Sequence, residues 1–335
     1  MRRKSISDTN LLLIITITIF LFMYIGAIVF QGGGFLKAQT FFNILNAQGA
    51  LIITACGLSL VMITGSIDIS VGGVVALISM CCAVYLDHHK GSVAGSILIA
   101  LAIGLAFGLV QGFLIAYLDI QPFIVSLAGM FFARGMTTIV NTNPFNVQNE
   151  AFVALKETRV VVPGMGSINK IGKYVDAYVE IGVLIAILIV ILMFVILRWS
   201  KLGRAFYATG GNKTSALMLG INVKRTRFLA HLICGILAGI GGYVYFLHVG
   251  SGAASHASGM EMNAIASSII GGTLLTGGVG NIIGTLFGVL SLSVIQNIVS
   301  SAGLDQAWWT GITVAAMLCI FLIIQSVVMA RKRNK

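Results

Sequence analysis

The stretch LLLIITITIFLFMYIGAIVF, residues 11–30, decides what kind of protein this is. Arg2, Arg3 and Lys4 stand before it, the charge pattern of a secretory leader. A leader's apolar segment, however, is only about 7–15 residues long and ends at a small-x-small cleavage site. This run is longer, carries no charge, and no such site follows it. A helix of about 20 residues crosses the ~30 Å hydrocarbon layer of a bilayer. We therefore read residues 11–30 as a first membrane span.

Working outward, the rest of the chain has the same character. Of its 335 residues, 58% are hydrophobic and 9% charged, where a soluble domain carries about 25% charged residues. The mean hydropathy is +1.00. These values exclude an ordinary cytosolic enzyme, a disordered chain and a secreted disulfide scaffold. Further apolar runs lie at 42–64, 71–86, 93–118, 121–140, 177–199, 227–249, 261–275, 281–302 and 307–329. The expected fold is an all-α polytopic integral membrane protein with about ten transmembrane helices, a single transmembrane domain over 1–335. The 40 glycines suit close helix packing in lipid. Cys56, Cys81, Cys82, Cys234 and Cys319 sit in apolar runs without a CxxC pair, and are read as buried thiols.

The net charge of +11 raises the question of nucleic acid. The basic residues form no face; they lie in tails and loops, where they orient a membrane protein instead. With both termini inside, the inner side holds 14 of them: Arg2, Arg3, Lys4, Arg198, Lys201, Arg204, Lys213, Lys224, Arg225, Arg227, Arg331, Lys332, Arg333 and Lys335. The outer side holds 6: Lys37, Lys90, Lys156, Arg159, Lys170 and Lys173. The expectation is a multi-pass protein of the cytoplasmic membrane with both ends in the cytoplasm, surrounded by lipid and binding no nucleic acid. Residues 141–176 form an extracytoplasmic loop able to make a small lid. Residues 199–227, WSKLGRAFYATGGNKTSALMLGINVKRTR, form a cytoplasmic loop in which Lys213 to Gly220 reads as a short surface helix capped by Asn212.

Polar groups inside the apolar runs are the candidate site. In TGSIDISVG (64–72) a carboxylate at bilayer depth needs compensation. Ser66, Asp68 or Ser70 either caps a broken helix or lines a solute path. Glu261 opens the eighth run much as Asp68 opens the third. With five spans per half, that correspondence suggests a 5+5 inverted repeat. Asn46, Gln48, Gln296 and Asn297 are uncharged polar groups that either bond between helices or contact a sugar. Arg134 snorkels or pairs with an acid, and His231 and His248 read as satisfied core histidines. The glycine cluster 265–281 lacks GxxxxGK[ST] and serves helix packing. No metal spacing and no catalytic constellation occurs; the chain is read as a non-enzyme that binds no cofactor itself.

SIDISVG (66–72) resembles the GGIDLSVG of the permease subunits of bacterial ATP-binding-cassette sugar importers of the ribose, galactose, xylose and arabinose type, with Ser66 replacing the second glycine. LGRAFYATGGN (202–212) resembles their inner-loop pattern. QPFIVSLAGMFFARG (121–135), GGNKTSALMLGI (210–221), IASSIIGGTLLTGGVGNIIGTLFGV (265–289) and AWWT (307–310) are most similar to the galactofuranose permeases. The resemblance implies import of a monosaccharide, a hexose such as galactofuranose, with ATP used by a separate cytoplasmic ATPase subunit. It implies an extracytoplasmic sugar-binding protein and a second permease, a heterodimer before a homodimer. It also maps a coupling element onto Lys201, Gly203, Arg204, Gly210, Gly211, Asn212, Lys213 and Gly220. The rival class is an ion- or proton-coupled secondary transporter of a small polar solute, with Asp68 and Glu261 as its intramembrane acids.

Overall fold

In a computed structural model, residues 8–31, 34–168, 174–304 and 306–333 are described. The charges Arg2, Arg3, Lys4, Lys170, Lys173 and Lys335 lie outside them. The chain runs α1 (Asp8–Gln31), α2 (Ala38–Ile63), α3 (Val71–Asp87), α4 (Val93–Ala116), α5 (Pro122–Val140), β1 (Phe145–Asn146), α6 (Glu150–Glu157), β2 (Arg159–Ile168), β3 (Tyr174–Glu180), α7 (Ile181–Trp199), α8 (Lys201–Gly211), α9 (Lys213–Met218), α10 (Val223–Val249), β4 (Ser251–Gly252), α11 (Met260–Ile270), α12 (Ile282–Ser301) and α13 (Ala307–Arg333). Among the described residues, 8 helices are long and apolar enough to cross a membrane. The shorter apolar helix α3 makes a ninth segment, and the 11-residue α11 stands where the expected run 261–275 begins, so the bundle has about the ten segments expected.

Burial follows position in the bundle. The apolar window of α2 is 89% buried, whereas that of α13 is 17% buried. α2 and α10 form the central pair and run antiparallel, Gly49 beside Val244 and Gly57 beside Cys234. α4 lies along α10 with Gly104 against Gly235 and Gly239, and Gly108 and Gly112 against the His231 turn. Glycines at i, i+4 and i+8 let the two backbones meet, so dispersion and close packing join helices that lipid does not drive together. α12 meets α11 in the same way, Gly284 on Gly271 and Gly288 on Ser267.

The packing partners repeat between the halves. α4 packs on α10 as α12 packs on α2, and α3 packs on α10 and α5 as α11 packs on α2 and α13. The exchange breaks at the first helix of each half, since α1 packs on α12 and α7 on α2. The correspondence of packing partners thus covers α2–α5 and α10–α13.

Three readings are corrected. Residues 177–180 do not begin a span: YVDAYVE alternates along β3, which pairs antiparallel with β2, Arg159 opposite Glu180. That hairpin, α6 and the β1–β4 pair make the 141–180 region a small mixed structure rather than loop. Residues 271–275 are turn, not helix, because Gly272 adopts φ +89°. Finally, Cys319 is exposed and Cys81 half-buried, leaving Cys56, Cys82 and Cys234 as the buried thiols.

Candidate functional site

α3 and α11 both start inside the bundle, and their starts meet: a side chain at Gly72 would collide with the Glu261 carboxylate. Asp68 sits just before α3. Its Oδ1 accepts the Ser70 N–H at 2.9 Å and the Ser70 hydroxyl at 2.6 Å, and Ser70 Oγ accepts Gln111 Nε2 of α4 at 2.8 Å. Asp68 is buried and interacts with His231 and Cys234 of α10. Those residues lie about 12–17 Å into α10, given 1.5 Å of rise per residue. The carboxylate is therefore near mid-bundle, where hydrogen-bond donors must replace water.

The same face of α10 carries Arg227, His231 and Cys234, spaced i, i+4, i+7. Arg227 pairs with Asp119 at 3.0 Å and interacts with His231. His231 is not a satisfied core histidine: both ring nitrogens are buried without a hydrogen-bond partner among the described residues. Ser66 Oγ is likewise buried and unpartnered. From the sequence alone Arg227 counts only among the inner-side charges, His231 reads only as a core residue, and Gln111 is not singled out. The i, i+4 spacing of Arg227 and His231 on an apolar run was the available signal.

Glu261 is in the first turn of α11 and faces Arg134 of α5 at 3.8 Å. Arg134 also donates to the carbonyls of His256 and Ala257, so it holds the 250–259 segment to α5. His248 pairs with Glu180 at 2.7 Å. Asn46 is buried, its Oδ1 accepting the Glu180 N–H at 3.0 Å, and so joins α2 to the end of β3. Gln48 instead lines a cavity between α2, α10 and α11. Gln296 is half-buried on α12, and Asn297 bonds the Ser293 carbonyl at 2.9 Å. The structure brings Ser66, Asp68, Ser70 and Glu261 together around the α3 and α11 starts; Gln48, Gln296 and Asn297 lie apart from that cluster.

At the opposite end from the hairpin, residues 199–227 fold into two helices, α8 as well as the expected α9. Ser200 Oγ caps α8, accepting the Gly203 N–H at 2.9 Å. Lys201 and Arg204 are exposed on it. Gly210 abuts the Ile63 carbonyl and Gly278, while Gly278 N–H donates to the Ile63 carbonyl at 2.8 Å. Tyr207 donates to the Gly280 carbonyl at 2.9 Å, and burial pushes its phenol up to about 12 against a smaller lowering by Arg198. α8 is thereby fixed to the end of α2 and to the turn after α11.

Six residues are too few for a self-stable helix, yet α9 is closed at both ends. Asn212 Oδ1 accepts the Ser215 N–H at 2.9 Å. Gly220, at φ +76°, sends its N–H to Leu217 O and positions Ile221 N–H on Ala216 O. That pair of bonds is the Schellman closure, which needs a left-handed residue. Leu217, Met218 and Leu219 project beyond it, 59%, 83% and 78% exposed. Lys213 and Gly211 are exposed on the same loop.

Residues 40–322 match the family described as branched-chain amino acid transport system / permease component. The chain is 35% identical over 316 residues to the inner membrane ABC transporter permease protein YjfF of Escherichia coli, covering 94% of this chain and 92% of that one. It is 33% identical to the fructose import permease protein FruG of Bifidobacterium longum, over 84% of this chain and 80% of that one. It is 29% identical to the ribose import permease protein RbsC of Escherichia coli, over 86% of each. No solved structure matches significantly. The apolar helical bundle and the match over 40–322 agree, and the chain belongs to this family of transport-system permease components.

Proposed function

We propose that the chain is the membrane-spanning subunit of an ATP-binding-cassette importer that moves a monosaccharide, a hexose such as galactofuranose, across the cytoplasmic membrane. The names of the relatives support a sugar: two of those matched above import fructose and ribose. The α8–α9 end faces the cytoplasm and the hairpin end faces outward, which sets both termini inside. A cytoplasmic ATPase subunit binds and hydrolyses the ATP. An extracytoplasmic sugar-binding protein delivers the substrate, and a second, homologous permease completes the pathway.

The observation that carries this reading is α9, a pre-closed knob with an apolar tip and a lysine at its base. An exposed apolar tip on a rigid helix fits a groove on a partner protein. Closure of the ATPases on ATP would push α9, and the Gly210–Ile63–Gly278 contact would carry the push to α2 and to the α11–α12 turn. Ser66, Asp68, Ser70 and Glu261 stand at the two helix starts that such a push would move. Membership of a permease family disfavours the ion-coupled alternative.

The test is mild-detergent purification of the tagged chain from its native cell, with mass spectrometry of what accompanies it. The expected result is an ATPase in stoichiometric amount together with a second permease-like chain. In Met218→Asp the ATPase is lost while the chain keeps its membrane abundance. A chain that emerges alone and intact from several detergents, with proton- or sodium-driven uptake, overturns the reading.

A further inference from the structure

The cavity between α2, α10 and α11 has a volume of about 340 Å³ and lies toward the hairpin end. That is within the roughly 300–1,000 Å³ of small-molecule sites. Gln48 of α2, Asn263 of α11 and Ser255 and Ser258 of the preceding segment line it, and none of their side chains has a hydrogen-bond partner among the described residues. Tyr245 of α10 also lines it; its hydroxyl oxygen accepts the Ala257 N–H at 3.2 Å, so its proton is left to donate inward. The rest of the wall is apolar, with Leu51 and Met260 its largest members.

The chemistry of this lining is selective. Two amides, two serine hydroxyls and a phenol both donate and accept, as sugar hydroxyls do. No charged side chain lines the cavity. The nearest charges described above, Arg134 and Glu261, are turned toward each other. An amino acid or other ion would enter with charges unpaired, at a penalty of several kcal/mol. A neutral polyol meets unpartnered donors and acceptors on one side and apolar surface for its C–H faces on the other.

We propose that this cavity is a polyol-binding subsite contained within one permease subunit, with Gln48 and Asn263 as its hydroxyl-reading residues. This rests on the import reading above and narrows it to an uncharged sugar. All five polar groups come from a single chain, so the subsite is complete without a second permease. It opens on the outward side, where sugar arrives, and Asn263 lies one turn from the α11 start that meets α3.

The experiment is uptake of a radiolabelled panel of neutral pentoses and hexoses by cells carrying the full transporter. For the sugar that the wild type imports, Gln48→Leu and Asn263→Leu each lower uptake at subsaturating sugar by about 2- to 10-fold, the loss of one neutral hydrogen bond. The double variant loses more than either. Ser258→Cys, at an exposed position, is labelled by an external methanethiosulfonate reagent, and saturating sugar slows that labelling. If the double variant does not reach the membrane, the Ser258→Cys protection decides alone. Wild-type import with unchanged uptake in the double variant, or with labelling indifferent to sugar, overturns the subsite while leaving the importer intact. A wild-type chain that imports no sugar of the panel overturns the import reading and the subsite together.

Discussion

Asp68 shows how a single acid is accommodated in an apolar bundle. Its Oδ1 holds Ser70 through two bonds, and an asparagine oxygen can accept the same N–H, whereas alanine cannot. Asp68→Ala is expected to destabilise the detergent-solubilised chain by about 2–3 kcal/mol, the scale of hydrogen bonds to a charged group. Asp68→Asn is expected to lose less, with uptake per assembled transporter within about 3-fold of wild type if the group only caps. Thermal unfolding and uptake assays on the two variants separate the roles, since a stable but inactive Asp68→Asn places the carboxylate on the solute path. His256 gives a pH dependence. It lies between α10 and α11, outside the span helices, and bonds Ser79 of α3 at 3.2 Å, and burial lowers its pKa from the ordinary 6.5. The unfolded chain then binds a proton that the folded chain refuses, so stability is full above about pH 6.5 and declines as pH falls below it. Thermal midpoints measured from pH 8 to 5 should show that decline, and His256→Asn should flatten it.

At the scale of elements, the structure turns on glycines that hold backbones in contact. A methyl group at Gly210 would run into the Ile63 carbonyl, whereas one at Gly211 meets nothing within 4 Å. Gly210→Ala should therefore destabilise by about 1–3 kcal/mol, as overpacking does. It should also weaken sugar-stimulated ATPase activity more than it weakens assembly. Gly211→Ala should stay within about 0.5 kcal/mol of wild type, and a paired thermal and ATPase assay compares the two. Loss of the α9 cap in Asn212→Ala costs about 1 kcal/mol of local helix stability. Amide exchange should then rise over Lys213–Met218 and leave α10 unchanged.

The whole molecule makes a prediction about sidedness. The exposed basic residues Arg198, Lys201, Arg204, Lys213, Lys224 and Arg225 gather at the α8–α9 end. Asp87, Glu150, Glu157 and Glu180 lie at the other end, around α6 and the hairpin. Positive charge near the span ends favours the cytoplasmic side. A fluorescent protein fused after residue 335 should therefore fluoresce, and alkaline phosphatase in its place should be inactive. A cysteine introduced at Lys90, in the α3–α4 turn, should react with an impermeant reagent from outside. The reverse pattern would invert the bundle and place α9 beyond reach of a cytoplasmic ATPase.

The run at 11–30 and its nine successors determined the ten apolar segments, because crossing hydrocarbon imposes a length and a composition that neighbouring residues alone can meet. Asn212 and Gly220 were legible for the same reason: caps act within a few residues. The β2–β3 hairpin was not, since its strands follow short-period alternation beside a long apolar run that masks it. Only the tertiary structure brought Asp68 to His231, Glu261 to Gly72, and Gln48 to Asn263. Those meetings join residues far apart in the chain, and they depend on which helices pack together through their glycine faces. A polar residue within a span announces itself in the sequence, but whether it finds a partner or faces an empty cavity is settled by the helix laid against it.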